Sequence, residues 1–580
     1  MKKVILSLIF VGFSINVIAQ KHDHKHEAAP LDWFHRSIDE EVFGVNTHKA
    51  YAFLEKTGRI PQTVIVGILD SGVDADHEDL KDVMWVNKKE IANNGLDDDK
   101  NGYIDDIHGW NFLGNADGTN IKGDNLEIIR LYAKYRSKFQ DLSDQKLKKN
   151  IQKYPKEYEI YLEGIKLINT NTIQNKIELS ELKAQKEQFI VYESQFTTVF
   201  EKIKKLIPTK KISANELKPL IKKHKKDKQA YAVLGMLYEA AVQDPNQTIN
   251  IDQIQKEFNE LLNIDTKNLD EYISFLESKI NYHYNPDLDT RKIIGDDYDN
   301  KKDSNYGNND VKGPYAMHGT HVAGLVAAVR NNGIGMDGVA NNVQIMGVRI
   351  VPDGDERDKD VANGIIYAVD NGAKIINMSF GKKYSPDKPI VDDAIRYAEK
   401  KGALLIHAAG NDGEDLDLQL HYPVNIIKND TIATNWITVG ASTPHKEHLA
   451  ATFSNYGSKT VDLFSPGTEI YSTTPNNQYQ SLQGTSMATP IVSGVAALVW
   501  SYYPELTAHE LRNVLLQSVN VYKATVPTPT EKKKKTALPF TSLSTTGGVI
   551  DAYNAVKIAD NFIKNKNTTS IKMDKIKHNK

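Results

Sequence analysis

Thr63-Val64-Ile65-Val66-Gly67-Ile68-Leu69 is an unbroken, largely β-branched apolar run that ends on Asp70. A run without polar alternation suits a strand buried on both faces, as in a parallel sheet covered by helices. It carries a carboxylate to the C-terminal end of that strand, the edge where active sites of open α/β sheets gather. The same texture returns at 343–348, 375–378, 403–408 and 436–439, with helical patterns at 361–370 and 391–400 between some of these runs. The expected fold is α/β, with a mostly parallel central sheet and helices on both faces.

From about 120 to 290 the texture changes. Lys-, Glu-, Gln- and Asn-rich segments carry apolar residues at threes and fours, as in Phe189, Tyr192, Phe196 and Phe200, or Ile251, Ile254, Phe258, Leu261 and Leu262. Ser213 with Glu216 forms a capping-box pattern. The segment reads as a long helical insertion that interrupts the α/β fold. Its lysines 222, 223, 225, 226 and 228 read first as a solvated face and second as an interaction patch.

Residues 1–19 read as a signal peptide: Lys2 and Lys3, a short apolar run, then Val17 and Ala19 as small residues before a cut. The run is shorter than a bilayer span, so no stable membrane insertion is expected once the signal is removed. Residues 20–62 read as a polar N-terminal arm, opening with His22, His24 and His26, and residues 521–580 as a peripheral C-terminal extension. The chain of 580 residues has 40% hydrophobic content, enough for more than one folded unit. Its formal net charge of −3 provides no field that would select nucleic acid. With no cysteine it can be neither a cysteine peptidase nor a thiolate zinc protein, and it can hold no disulfide.

Three short segments bear the marks of an activated nucleophile. They are Asp70-Ser71-Gly72 at the strand end, His318-Gly319-Thr320-His321 leading into a small-residue helix, and Gly484-Thr485-Ser486-Met487-Ala488 leading into an apolar one. Each has a plainer reading alone: a strand-end Asp that caps, a His that bonds backbone, a Ser that starts a core helix. Together, in the order Asp, His, Ser on a parallel α/β texture, they match one of the known arrangements of the serine-hydrolase triad.

At these segments the chain resembles the subtilisin-like serine proteases, the subtilases of peptidase family S8. The resemblance covers roughly 63–115 and 294–520 and implies a subtilisin-like three-layer catalytic domain in two parts, 63–119 and 291–520, around the insertion at 120–290. It implies an exported serine endopeptidase, periplasmic or extracellular, acting on protein or peptide substrates through an acyl-enzyme. Ser486 would be the nucleophile, His318 its base and Asp70 the residue that orients the imidazole.

The same resemblance places Asn411, in Ala408-Ala409-Gly410-Asn411, as the side-chain donor of the oxyanion hole, where the plainer reading is a turn residue after Gly410. Ser379, Phe380 and Gly381 would pair with the substrate backbone, and Ala408, Ala409 and Gly410 would form a second wall. Those small or apolar walls imply an apolar residue before the cleaved bond.

Asp97, Asp99, Asn101 and Asp105 stand in an Asp-rich run whose Gly102 permits a sharp turn. Oxygen ligands at alternate positions suit structural Ca²⁺, against an acidic loop closed by its own Asx turns. By resemblance, a second calcium site would join Asp79 to Asn332, although the loop there has one residue more than the family pattern near Arg330.

Two departures from the family pattern are evident. The Asp-to-His separation is far longer than usual, which the logarithmic cost of loop closure tolerates. Few residues lie between the signal and the first strand for an inhibitory prodomain, which leaves open how activity is restrained; from its position between two triad segments, the insertion is read as covering or flanking the cleft. The rival reading is a catalytically silent relative serving as a binding module. An esterase would want a Gly-x-Ser-x-Gly elbow, which the surroundings of Ser486 lack.

Overall fold

The computed structural model describes residues 29–207, 211–242, 248–529 and 537–578. The segment read as a signal peptide, the three N-terminal histidines and residues 530–536 lie outside the described residues.

The run that opens at Thr63 becomes β1 (Val64–Asp70), and it is buried on both faces for the expected reason. Val64, Val66 and Ile68 point into one core, while Ile65 and Leu69 point into another. Gly67 lets a helix come close on the second face, since a Cβ there would lie 3.2 Å from that of Ala368.

The remaining strands of this sheet are β2 (Gly109–Asn111), β3 (Val343–Arg349), β4 (Ile375–Met378), β5 (Leu404–Ala408), β6 (Trp436–Ser442), β7 (Leu463–Pro466), β8 (Asn520–Val521) and β9 (Gly548–Val549). Their order is β8-β9-β7-β6-β5-β4-β1-β3-β2. Every pairing is parallel except the edge pair β8–β9. The fold class is the α/β architecture expected, with helices against both faces.

The chain divides into two compact units. In the unit that holds the sheet, described from residue 29 to 165 and again from 285, the helices are α1 (Thr47–Thr57), α2 (Glu127–Phe139), α3 (Asp144–Lys153) and α4 (Pro155–Leu167), which ends at the boundary. The other unit, residues 166–284, contains α5 (Ile173–Leu206), α6 (Ala214–Lys223), α7 (Lys228–Val242) and α8 (Ile251–Ser278). Its core gathers Phe200, Ile203, Leu217, Leu234, Leu237 and Ile251, and α6 starts with the Ser213–Glu216 capping box. The five lysines are exposed. The side chains of Tyr192, Phe196, Phe258, Leu261 and Leu262 lie outside the described residues.

The sheet unit resumes with α9 (Met317–Ala327), α10 (Asp358–Asp370), α11 (Lys388–Lys401), α12 (Thr485–Tyr502), α13 (Ala508–Gln517) and α14 (Ala552–His578). Residues of α9 and α12 join one core and those of α10 and α11 the other.

Two sequence expectations change here. The segment read as a polar arm buries Trp33, Phe34, Val45, Ala50 and Leu54 in the first core. The segment read as peripheral supplies β9 and buries Ala552, Ala555, Val556, Ala559 and Ile563, a stripe at helical spacing. In both, a few apolar residues do the packing while the flanking charge dominates the composition. The part of the insertion before residue 166 also folds with the sheet. Among the described residues no helix is long and apolar enough to cross a membrane.

Candidate active site

Asp70, at the C-terminal end of β1, is 1% exposed. His318, second residue of α9, places Nδ1 2.7 Å from Asp70 Oδ1 across 248 residues of sequence. Gly319 makes that approach possible, because a Cβ there would stand 2.2 Å from the Gly72 carbonyl oxygen and 3.1 Å from Asp70 Oδ1. Burial works against a charged imidazole, but the charge of the Asp70 carboxylate and its hydrogen bond outweigh it and raise the His318 pKa. With Nδ1 held by the carboxylate, Nε2 is the nitrogen left for chemistry.

Ser486 is the second residue of α12, where helix N–H groups lack intrahelical acceptors. Its Oγ donates to the Ser379 carbonyl at 3.1 Å, and no hydrogen bond among the described residues joins it to His318 Nε2. Ser379 Oγ in turn donates to the Ser486 carbonyl at 2.9 Å, so the two residues are tied twice. Behind them, Ser493 donates to Asn377 Oδ1 and Asn377 Nδ2 donates to Ser379 Oγ, each at 2.9 Å. This buried chain fixes the segment after β4 against the helix that carries Ser486.

Asn411 is oriented by Thr485. Its Oδ1 accepts from Thr485 N at 2.8 Å and from Thr485 Oγ1 at 3.0 Å, while that hydroxyl accepts from Gly410 N at 3.1 Å. Two donors at Oδ1 determine which way the amide is turned and leave Nδ2 as a donor beside the start of α12. Sequence reasoning missed the role of Thr485, although it stands next to the serine.

Of the other residues expected at the substrate site, Ser379 is buried by the contacts just described. Phe380 is also buried, with its ring edge-on to His407 at 6.3 Å, so this segment can offer its backbone to a peptide. Ala408 ends β5 and is buried with Ala409. Gly381 and Gly410 face one residue that the sequence did not single out, His421. A Cβ on Gly381 would lie 2.6 Å from its Nδ1, and one on Gly410 would lie 3.2 Å away. Burial lowers the His421 pKa against the pull of Asp412, whose carboxylate is 3.9 Å from Nε2.

In the acidic loop, Glu90, Asp97 and Asp99 bring ligand oxygens within 4.8 Å of one another. Glu90 was not among the expected ligands because it precedes the Asp-rich run. Asp105 lies outside this group of carboxylates. Asp105 accepts from the N–H groups of Asn94 and Gly95, and Asn101 accepts from Tyr103 N and donates to Asp106. Asp79 is buried, with Oδ1 accepting from Asn332 Nδ2 at 2.7 Å and Oδ2 from Met336 N at 3.2 Å. As oriented, Asn332 presents its amide nitrogen to Asp79, and its oxygen accepts from Ile334 N.

The model of the subtilase family of S8 peptidases matches residues 62–546. The thermophilic serine proteinase of Bacillus sp. (strain AK1) is 38% identical over 230 residues, covering 40% of this chain and 52% of its own. Thermitase of Thermoactinomyces vulgaris is 41% identical over 218 residues, covering 37% of this chain and 70% of its own. The major intracellular serine protease of Bacillus subtilis (strain 168) is 38% identical over 224 residues, covering 38% of this chain and 65% of its own. The chain thus spans between 52% and 70% of the length of these relatives.

Proposed function

The chain belongs to the subtilase family, and on that premise we propose that it is an exported serine endopeptidase with Asp70, His318 and Ser486 as its triad. The observation that carries this reading is the 2.7 Å pairing of Asp70 Oδ1 with His318 Nδ1.

A serine hydroxyl is a weak nucleophile at neutral pH. On this reading Ser486 Oγ leaves the Ser379 carbonyl for His318 Nε2, which receives its proton as Oγ attacks a peptide carbonyl. Asp70 holds the tautomer with hydrogen on Nδ1 and stabilises the imidazolium that forms. The oxyanion is met by the backbone N–H of Ser486 at the helix N-terminus and by Asn411 Nδ2. Collapse of the tetrahedral intermediate expels the amine, protonated by His318, and water repeats the sequence on the acyl-enzyme. Substrate lies along Ser379, Phe380 and Gly381, with the residue before the cleaved bond between Gly381 and the Ala408–Gly410 segment.

Glu90, Asp97 and Asp99 suit a hard cation, because carboxylate oxygens are what Ca²⁺ takes, and a calcium ion held there would tie the loop together. It takes no part in peptide cleavage. Asp79 and Asn332 fit a cation less well, since Asn332 turns its amide nitrogen to Asp79 and its oxygen to Ile334 N, so that it offers the site no oxygen.

The Ser486–Ser379 bond is also what a silent binding module would retain, so activity separates the two readings. Purified wild-type chain with calcium is expected to cleave casein, and Ser486→Ala to lose on the order of 10⁶ in turnover. Folded, calcium-loaded wild type without cleavage would favour the binding module.

A further inference from the structure

The segment read as the substrate strand continues into Lys382, Lys383 and Tyr384, and their side chains alternate as an extended chain requires. Lys383 reaches Glu414 at 3.0 Å, beyond the second wall. Lys382 and Tyr384 reach instead into the first part of the insertion, which folds in the same unit as the sheet. The Lys382 side chain is 2% exposed, and its Nζ lies 2.8 Å from Glu127 Oε2, 2.8 Å from the Glu356 carbonyl oxygen and 2.9 Å from Asp358 Oδ1. Tyr384 donates to Glu163 Oε2 at 2.6 Å.

Glu127 opens α2, and this helix also grips the loop that follows β3. The Glu127 N–H donates to Asp355 Oδ2 at 2.8 Å, and Arg130 donates to the carbonyl oxygens of Asp355 and Glu356 at 3.1 Å each. Arg130 is itself paired to Glu127 at 2.6 Å. Burial disfavours the charges of Lys382 and Glu127, but their opposite partners prevail, raising the pKa of the lysine and lowering that of the acid, so both stay ionised. The helices are stiffened from within: Tyr132 stacks on Tyr161 at 5.4 Å, Phe139 packs against both Tyr158 and Tyr161, and a Cβ on Gly164 would meet Tyr132 at 2.5 Å.

We infer that residues 124–165 form a built-in wall of the substrate cleft and that Lys382 is the positioning residue that holds the substrate strand and the 355–358 loop against it. The inference rests on the proposed function, because only that reading makes Ser379–Gly381 the substrate strand. The class of substrate follows from the geometry. The segments gripped by α2 follow the C-terminal ends of β3 and β4, so the wall bears on an extended peptide with several residues before the cleaved bond. A minimal substrate that occupies only the Ser486 centre does not need it.

The test uses the full chain and two substrates, a single-residue p-nitrophenyl ester and a hexapeptide extended on the N-terminal side of the cleaved bond. The variants are Tyr384→Phe and the paired change Glu127→Gln with Lys382→Met, which removes one charge of each sign from the cluster while Arg130 keeps the Asp355 and Glu356 carbonyls and Asp358 keeps Ser385 and the Asp387 N–H. For the pair, KM for the hexapeptide is expected to rise about tenfold, the scale of one or two charge-assisted hydrogen bonds, with kcat held and ester hydrolysis within about twofold. Tyr384→Phe is expected to raise KM for the hexapeptide about threefold. Equal losses on both substrates, or no loss on either, would overturn the inference. If the paired variant fails to fold, Tyr384→Phe decides alone. Wild type that cleaves neither substrate would instead overturn the proposed function, a separate outcome.

Discussion

Asp70 and the acids of the loop around Asp97 are carboxylates placed by opposite rules. Asp70 is nearly inaccessible, its Oδ1 accepts from Ser71 N and is also bound to a histidine 248 residues away, and among the described residues its Oδ2 is buried without a partner. Asp97, Asp99 and Asp105 each accept from backbone N–H groups nearby in sequence, and Glu90 accepts from Asp99 N and, 15 residues away, from Asp105 N. A carboxylate satisfied by local N–H groups shapes a loop and can bind a cation with its remaining lone pairs. A carboxylate buried at a strand end and paired with a distant imidazole sets the tautomer and charge of that imidazole.

The contrast can be broken by experiment. Asp70→Asn should lower kcat by about 10⁴, as expected when the imidazole loses its tautomer, with little change in Tm. A large fall in Tm with modest loss of activity would put Asp70 in the structural class. Asn411→Ala should cost on the order of 10²–10³ in kcat with KM nearly constant, because its amide acts on the transition state.

The His318 pKa supplies a signed pH test. The working base is the neutral imidazole, so kcat/KM should rise with pH through a value above the ordinary 6.5. Stability runs the other way. A histidine whose folded pKa is raised contributes stability fully below its unfolded pKa and loses it as pH climbs through the folded one. His318→Gln should abolish the activity profile and remove the His318 contribution to the pH dependence of stability, and a flat activity profile in wild type would contradict the pairing.

The smallest effect is expected in the loop. Chelating calcium should lower Tm by about 5 °C while initial rates at low temperature hold, and Glu90→Gln should weaken the response to added calcium. Loss of activity at unchanged Tm would join the loop to the chemistry.

The same contrast explains what could be read in the sequence. β1 was legible because burial on both faces leaves an all-apolar run, and the three chemical segments were legible through their resemblance to subtilases. Glu90 was missed because its contact with Asp97 and Asp99 depends on how the loop closes. Trp33 and Phe34 were missed because two apolar residues among charges make no periodic signal, and Ala555 and Ala559 because a small-residue stripe is weak beside the lysines of the same helix. His421 and Lys382 matter through contacts with other segments, which no local pattern encodes.

The central claim is that Ser486 is the nucleophile activated by His318. Labelling the intact chain with a fluorophosphonate and locating the adduct by peptide mass spectrometry tests it most directly. The expected result is one adduct, on Ser486, absent in Ser486→Ala and strongly slowed in His318→Gln. An adduct elsewhere, or none on folded, calcium-loaded wild type, would contradict it.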